Sequence, residues 1–262
     1  QGVTECITFL IPNAYGGGSR GDLSAHENVI KTLTSMGADQ NQAAYISQVH
    51  TPLYWGEKPF TEGSFYFGAV ICFLFVLGLM IVKSRLKWWL LATVVLTILL
   101  SFGKNWPFVS DLFFYYVPLY SKFRTVESIL AVAGLCFPLL ALLALQEVSV
   151  FKDNVDLLKK VKISFYITFG LSLIVVLIPN LLLSFRSDTH HDLISNLVQM
   201  LKIDVATANS IGNALIADRQ AIAKEDAIRT CIFVALAFCI LWAFLKSKIT
   251  FSTLVYGILV LV

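Results

Sequence analysis

Charged side chains are scarce in this sequence of 262 residues. Asp, Glu, Lys and Arg make up 14% of the chain, whereas hydrophobic residues make up 57%. A typical soluble domain is about 25% charged and about 45–50% apolar. This scarcity excludes an ordinary soluble domain and predicts a polytopic membrane protein. The net charge of +3 is too small to indicate nucleic acid as a partner.

Metal-binding and disulfide patterns are also missing from the sequence. It contains no CxxC pair, and four of its five cysteines lie inside apolar runs, where a free Cys behaves as a small buried hydrophobe: Cys72, Cys136, Cys231 and Cys239. The adjacent His190 and His191 would point in different directions on a helix. We therefore expect neither a zinc site nor a disulfide framework, and the sequence identifies no cofactor.

Uncharged apolar runs are what the sequence has in abundance. Such runs must cross a bilayer as helices, because lipid offers no partner for unpaired backbone groups. An all-α fold with about six transmembrane helices is predicted, with spans at about 63–82, 88–103, 128–146, 163–185, 230–245 and 249–262. Residues 1–62 form a separate extramembrane segment. The first residue is Gln1 and the last run is short, so we expect a fragment truncated at both ends.

Basic residues indicate which way the spans are oriented. They are concentrated in the short turns after the first, third and fifth runs: Lys83, Arg85, Lys87, Lys152, Lys159, Lys160, Lys162, Lys246 and Lys248. By the positive-inside rule these turns face the cytoplasm. Residues 1–62, 104–127 and 186–229 are then predicted to lie on the outer face.

Two of these outer segments carry helical patterns. Residues 28–49 are compatible with one short helix. In residues 186–229, apolar side chains recur at helical spacing, which predicts two short amphipathic helices. Their apolar faces either pack on the other outer segments, which we favour, or lie on the bilayer surface.

The segment 104–127 contains the best candidate for a binding site. Its cations suit an anionic group such as phosphate, and its aromatic rings suit an apolar tail. The cations are Lys104, Lys122 and Arg124, and the aromatic surround is Tyr115, Tyr116, Tyr120 and Phe123. The alternative is an interfacial belt that only sets the depth of the helices in the bilayer.

Asp111 is the weak candidate for a catalytic carboxylate in this segment. It stands in an aromatic, apolar stretch, where a carboxylate commonly has a cationic partner or a perturbed pKa. We expect it to pair with Lys104 or Arg124 in preference to acting on a substrate. The catalytic residue is otherwise unknown.

Several phrases of the sequence resemble the YfhO family of bacterial membrane proteins. They are Tyr54–Thr61, Phe73–Gly78, Lys87–Thr93, Ser101–Asn105 and Asp111–Thr125, with a weaker likeness at Asp226–Arg229. The resemblance implies a GT-C-like glycosyltransferase in the bacterial inner membrane. Such an enzyme moves a sugar from a polyprenyl-phosphate carrier to a glycopolymer or lipid of the cell envelope, on the outer face.

The resemblance also implies what this chain would lack. The catalytic acidic residues are expected in an earlier outer loop, and a divalent metal is compatible with the full-length protein. Two other functions remain open: a transporter or flippase of lipid-linked sugars, and a non-catalytic membrane scaffold. The apolar runs carry no charge, which counts against ion-coupled transport.

Overall fold

The structure, a computed structural model, describes residues 2–17, 23–57, 65–118, 120–122, 126–150 and 155–262. It is 79% helical, and its described residues contain no strand, so the predicted all-α class is confirmed. The α-helices are α1 (Glu27–Ser35), α2 (Gln40–His50), α3 (Ala69–Ile81), α4 (Leu86–Ser101), α5 (Pro107–Tyr116), α6 (Leu130–Val150), α7 (Val155–Leu177), α8 (His190–Leu201), α9 (Val205–Leu245) and α10 (Phe251–Leu261).

The chain divides into two compact units. We call them the apolar unit, which comprises Gln1–Val3, Phe65–Leu173 and Arg229–Val262, and the mixed unit, which comprises Thr4–Ser64 and Ile174–Ile228. The sequence predicted an outer segment at 1–62 and a transmembrane helical domain at 63–262 with outer segments at 104–127 and 186–229. By contacts, residues 174–228 group with residues 4–64.

Helix-on-helix packing dominates the apolar unit, and α6 packs against both α3 and α4. Gly78 of α3 lets the two backbones approach, since a Cβ there would lie 2.9 Å from the Leu140 carbonyl oxygen of α6. Phe75 and Phe137 stack with ring centroids 4.0 Å apart. On α7, the buried Ser164 hydroxyl donates to the Phe73 carbonyl at 2.7 Å. Small residues at helix contacts and isolated interhelical hydrogen bonds are typical of membrane helices.

Three helical stretches in the described residues are long and apolar enough to cross a membrane: Val126–Val150, Asp156–Leu177 and Val205–Leu245. The other three predicted spans correspond to shorter apolar helices, namely α3 with 13 residues, α4 with 16 and α10 with 11. At 1.5 Å per residue these extend about 20, 24 and 17 Å, less than the bilayer core of about 30 Å.

Two predicted spans differ in their bounds from the helices of the structure. The span predicted at 163–185 overlaps the helical stretch Asp156–Leu177, which is long and apolar enough to cross a membrane. This stretch ends at Leu177 because Pro179 disfavours helical backbone at Ile178, whose φ and ψ are −136° and 67°. The span predicted at 230–245 is only the end of α9, whose 41 residues extend about 61 Å, twice the bilayer core.

The mixed unit has its own hydrophobic core. Residues 28–49, where one helix was expected, form most of α1 and α2. Their apolar faces pack with α8 and the beginning of α9 in a cluster that includes Val29, Leu33, Ala43, Ile46, Ile194, Leu197, Ala208, Ile211 and Leu215. The favoured prediction that the amphipathic helices of residues 186–229 pack within the protein is therefore consistent with the structure.

Candidate functional site

The described residues of the segment predicted as a binding site form α5, a 3-10 helix on either side of it, and the start of the 3-10 helix Val126–Ile129, all in the apolar unit. Pro107 starts α5, where its fixed φ suits the first helical turn and its missing N–H is not needed. On either side, Lys104 lies in the 3-10 helix Gly103–Asn105 and Lys122 in the 3-10 helix Tyr120–Lys122. Because α5 packs against both of these helices, it links the two parts of the chain that carry the lysines. Both lysine side chains are exposed.

The surface of α5 is apolar and open. None of its residues is buried. Tyr115 and Tyr116 are 77% and 79% exposed, and Phe108 is 78% exposed. Sequence reasoning missed Phe108, although it follows the same aromatic pattern. An apolar helix that the protein leaves uncovered is suited to lipid contact, and Tyr rings are enriched where a membrane meets water.

Tyr120 occupies a different environment from the other two tyrosines. It is half-buried and packs edge-on against Phe113, with centroids 5.6 Å apart. Burial raises the pKa of its phenol. Its hydroxyl has no hydrogen-bond partner among the described residues. Of the remaining predicted residues, Phe123 and Arg124 lie outside the described part of the chain.

Asp111 does not have the apolar environment within the protein that the sequence led us to expect. Its side chain is exposed on α5, and within the described residues it forms no ion pair with Lys104. The other predicted partner, Arg124, is outside the described residues. The carboxylate is therefore accessible to solvent or to a ligand.

A polar network in the mixed unit was missed by sequence reasoning. Arg219 of α9, 1% exposed, donates from Nη2 to the Pro52 carbonyl at 2.8 Å, from Nε to the Leu53 carbonyl at 3.0 Å and from Nη1 to the Phe185 carbonyl at 2.9 Å. Phe185 has a φ of 56°, a left-handed backbone that is unusual for a bulky residue. The planar guanidinium fixes this conformation and the 52–54 backbone together.

Two buried carboxylates of α9 also bind backbone groups of segments that are distant in sequence. Asp218 accepts the backbone N–H groups of Asn28 at 2.8 Å and of Val29 at 3.0 Å, which lie in the first turn of α1. Asp226 accepts the N–H of Asn13 at 3.0 Å. Sequence reasoning did not identify these contacts, because the partners are about 190 or more residues away.

The described residues contain no group of three His, Cys, Asp or Glu side chains that could hold a metal ion. His190 is half-buried, whereas His191 is exposed, so the two adjacent rings occupy different environments. Burial is the main cause that lowers the pKa of His190, and Arg219 adds to it. What the described site offers is two exposed cations, one carboxylate and an uncovered aromatic helix.

Fold and site together define a helical chain whose described residues include three helices long and apolar enough to cross a membrane. No family model matches this sequence, and neither a curated protein nor a solved structure matches it. The resemblance to the YfhO family stays a prediction.

Proposed function

We propose that this chain is part of a membrane glycosyltransferase. It would take a sugar from a polyprenyl-phosphate carrier and pass it to a glycopolymer or lipid of the cell envelope, on the outer face of the inner membrane. The observation that carries the proposal is α5, an uncovered aromatic helix that packs against two short helices bearing exposed lysines.

A lipid-linked sugar phosphate needs apolar and cationic groups side by side. Its isoprenoid tail would lie along the exposed rings of α5, including Tyr115 and Tyr116. Its phosphate would be held by Lys104 and Lys122 as point charges, and by the fork of Arg124. Asp111 is a carboxylate exposed on the same helix. A general base elsewhere in the protein is compatible with the same donor site.

The proposal includes six membrane passes, of which three use short helices. Bilayers thin locally around short apolar helices at a modest cost in free energy. The basic turns at residues 83–87 and 246–248 would face the cytoplasm. In a background without native cysteines, Cys introduced at Ser121 should then react with a membrane-impermeant thiol reagent in whole cells, and Cys at Ser84 should not. The reverse labelling would refute this orientation.

The donor-site proposal is tested by removing the charge of both described lysines. Lys104→Gln combined with Lys122→Gln, made in the full-length protein, should reduce sugar transfer from labelled polyprenyl-phosphate sugar in membrane vesicles at least about tenfold. The matched control combines Lys159→Gln with Lys246→Gln, two exposed lysines on the predicted cytoplasmic side, and should transfer at the unaltered rate. Lys159 has only an exposed ion pair with Asp156, which contributes little to stability.

The same vesicles distinguish the other two functions. A flippase would move the labelled carrier to the opposite leaflet without forming a glycosylated product, and a scaffold would do neither. Equal transfer by the Lys104/Lys122 variant and its control would contradict the donor site. Translocation without transfer would contradict the enzyme itself.

A further inference from the structure

A cleft of about 280 Å³ lies in the mixed unit, between the C-terminal end of α2 and one face of α8. Its polar lining consists of His50, Thr189, Asp192 and Asn196. None of these side chains is buried, so their polar groups are accessible from solvent. The cleft belongs to a different unit from α5.

Helical spacing explains why α8 presents these groups together. Thr189 precedes the helix, and Asp192 and Asn196 follow at steps of three and four residues, so the three lie on one side. Ile194 and Leu197 belong to the core of the unit and hold the helix in place. Leu197 also lines the cleft. The same residue therefore packs α8 into the core and forms part of the cleft wall.

The opposite wall is held by the buried guanidinium of Arg219. Pro52 lines the cleft, and its carbonyl accepts a 2.8 Å hydrogen bond from Arg219 Nη2. The ring of His50 lies edge-on to that of Tyr45, with centroids 6.4 Å apart. Both walls are therefore formed before any ligand arrives, as in most small-molecule sites.

The lining chemistry selects the class of ligand. A carboxylate, an amide, a hydroxyl and an imidazole offer both donors and acceptors, and Leu193 and Met200 add an apolar surface. No lysine or arginine lines the cleft among the described residues, and its carboxylate repels anions. A metal ion is disfavoured, because the described residues hold no group of three His, Cys, Asp or Glu.

We propose that this cleft binds a neutral saccharide. The hydroxyl groups of the sugar would bond to Asp192 and Asn196, and its C–H face would cover Leu193 and Met200. This proposal goes beyond the glycosyltransferase activity, since a saccharide would bind here whether or not the chain takes part in transfer.

The test is ligand-observed NMR by saturation transfer on the full chain in lipid nanodiscs. The probes are glucose, galactose, mannose, N-acetylglucosamine and N-acetylgalactosamine, with inorganic phosphate as the anionic comparison. We expect at least one neutral sugar to bind and phosphate not to compete with it. Asp192→Ala combined with Asn196→Ala should weaken that sugar roughly tenfold or more, because two hydrogen-bonding side chains are lost.

The matched control is Ser195→Ala combined with Gln199→Ala, two exposed positions of α8 that do not line the cleft. It should bind the sugar as the unaltered chain does. Asn196→Trp, which fills the cleft, should abolish binding while the amide exchange of α8 is unchanged. Absence of binding by every neutral sugar, competition by phosphate, or equal affinity of both double variants would overturn the proposal.

The lysine variants separate this proposal from the proposed activity. Lys104→Gln combined with Lys122→Gln should leave sugar binding to the cleft unchanged even where it stops transfer. Loss of sugar binding in that variant would place the sugar at α5 and overturn the assignment to this cleft.

Discussion

The two units of this chain are stabilised by different kinds of contact. In the apolar unit, helices pack through small and aromatic side chains, such as Gly78 against Leu140 and Phe75 against Phe137. In the mixed unit, a hydrophobic core is accompanied by buried charges of α9, and each charge binds backbone groups far away in sequence, as Arg219 and Asp218 do. Although the chain as a whole contains few charged residues, buried charged side chains of the mixed unit bind backbone groups, whereas the helix contacts of the apolar unit described above are made by uncharged side chains.

The difference follows from which backbone groups in each unit need hydrogen-bond partners. In the apolar unit, the helical hydrogen bonds already pair most backbone groups, so the contacts between helices can be apolar. The mixed unit contains segments such as residues 52–54 and 185 whose carbonyl groups are outside helices. A buried carbonyl without a partner is costly, and a charged side chain that reaches it removes that cost.

The largest effect should come from Arg219→Ala. It removes hydrogen bonds to the carbonyls of Pro52, Leu53 and Phe185 and leaves these groups without that donor. We expect the free energy of opening of the mixed unit to fall by about 3–5 kcal/mol. Hydrogen exchange measured by mass spectrometry would report this on the amides of α1 and α2, while amides of α3 and α6 keep their protection.

Arg186→Ala is the control for that experiment, because the Arg186 side chain is exposed. It should leave the exchange of α1 and α2 within about 0.5 kcal/mol of the unaltered chain. Arg219→Lys should recover only part of the loss, since an ammonium group lacks the planar fork that reaches several carbonyls at once. Equal protection in Arg219→Ala and Arg186→Ala would show that the guanidinium is not a structural clamp.

Sequence reasoning recovered the part of the structure that depends on neighbours along the chain. Apolar runs predicted helices at the positions of α3, α4, α6 and α10, and turn signals such as Pro179 explain the ends that were misplaced. It could not find the role of Arg219 or Asp218, since no local pattern distinguishes a charge that will be buried from one that stays exposed. The same limit applies to the cleft, whose walls are α2 and α8.

The candidate site was predicted in a similar, partial way. Composition pointed to the segment 104–127 with Lys104 and Lys122, but it did not predict that part of this segment forms the helix α5. The Asp111 side chain is exposed although its neighbours in sequence are apolar, since no residue of α5 is buried within the protein. Aromatic neighbours in a sequence become aromatic surroundings only when another element covers them.

A smaller effect is expected from Asp218→Ala. Asp218 takes the place of an N-cap for α1, because the N-cap residue His26 makes no side-chain capping bond. Its loss leaves the N–H groups of Asn28 and Val29 without this acceptor, and we expect about 2–3 kcal/mol less protection for α1 by hydrogen exchange.

The control for Asp218→Ala is a substitution of Asp204, which caps the N-terminus of the same helix, α9. Asp204 is exposed and accepts the N–H groups of Ala206 and Thr207 at the start of α9. Asp204→Ala should cost only about 1 kcal/mol, as N-cap substitutions usually do. If it destabilised the mixed unit as much as Asp218→Ala, the distant carboxylate would have no special structural importance.

Gly78→Ala tests whether the close approach of α3 and α6 stabilises the apolar unit. The added Cβ would lie 2.9 Å from the Leu140 carbonyl oxygen and from Leu140 Cγ, so α3 and α6 must move apart. Gly170→Ala on α7 is the matched control, since its Cβ would meet nothing within 4 Å. Both changes improve helix propensity equally, so their difference isolates the packing term.

We expect Gly78→Ala to be less stable than Gly170→Ala by about 1–3 kcal/mol, measured by thermal unfolding in detergent. Hydrogen exchange should locate the loss in α3 and α6 and leave the amides of α1 unchanged. Two variants of equal stability would mean that close backbone approach does not stabilise the apolar unit.

The smallest expected effect is a dependence of the mixed unit on pH. His26 is fully buried, and neither ring nitrogen has a hydrogen-bond partner among the described residues. Burial lowers its pKa, and the nearby Asp218 carboxylate opposes that shift only in part.

Below the ordinary histidine pKa of about 6.5, the unfolded chain therefore binds more protons at His26 than the folded chain. Stability is retained above that pH and lost as the pH falls, so protection of α1 should decline between pH 7 and pH 5. His26→Leu, which cannot titrate, should show a shallower decline, and an identical decline would assign the pH dependence to other groups, such as His190.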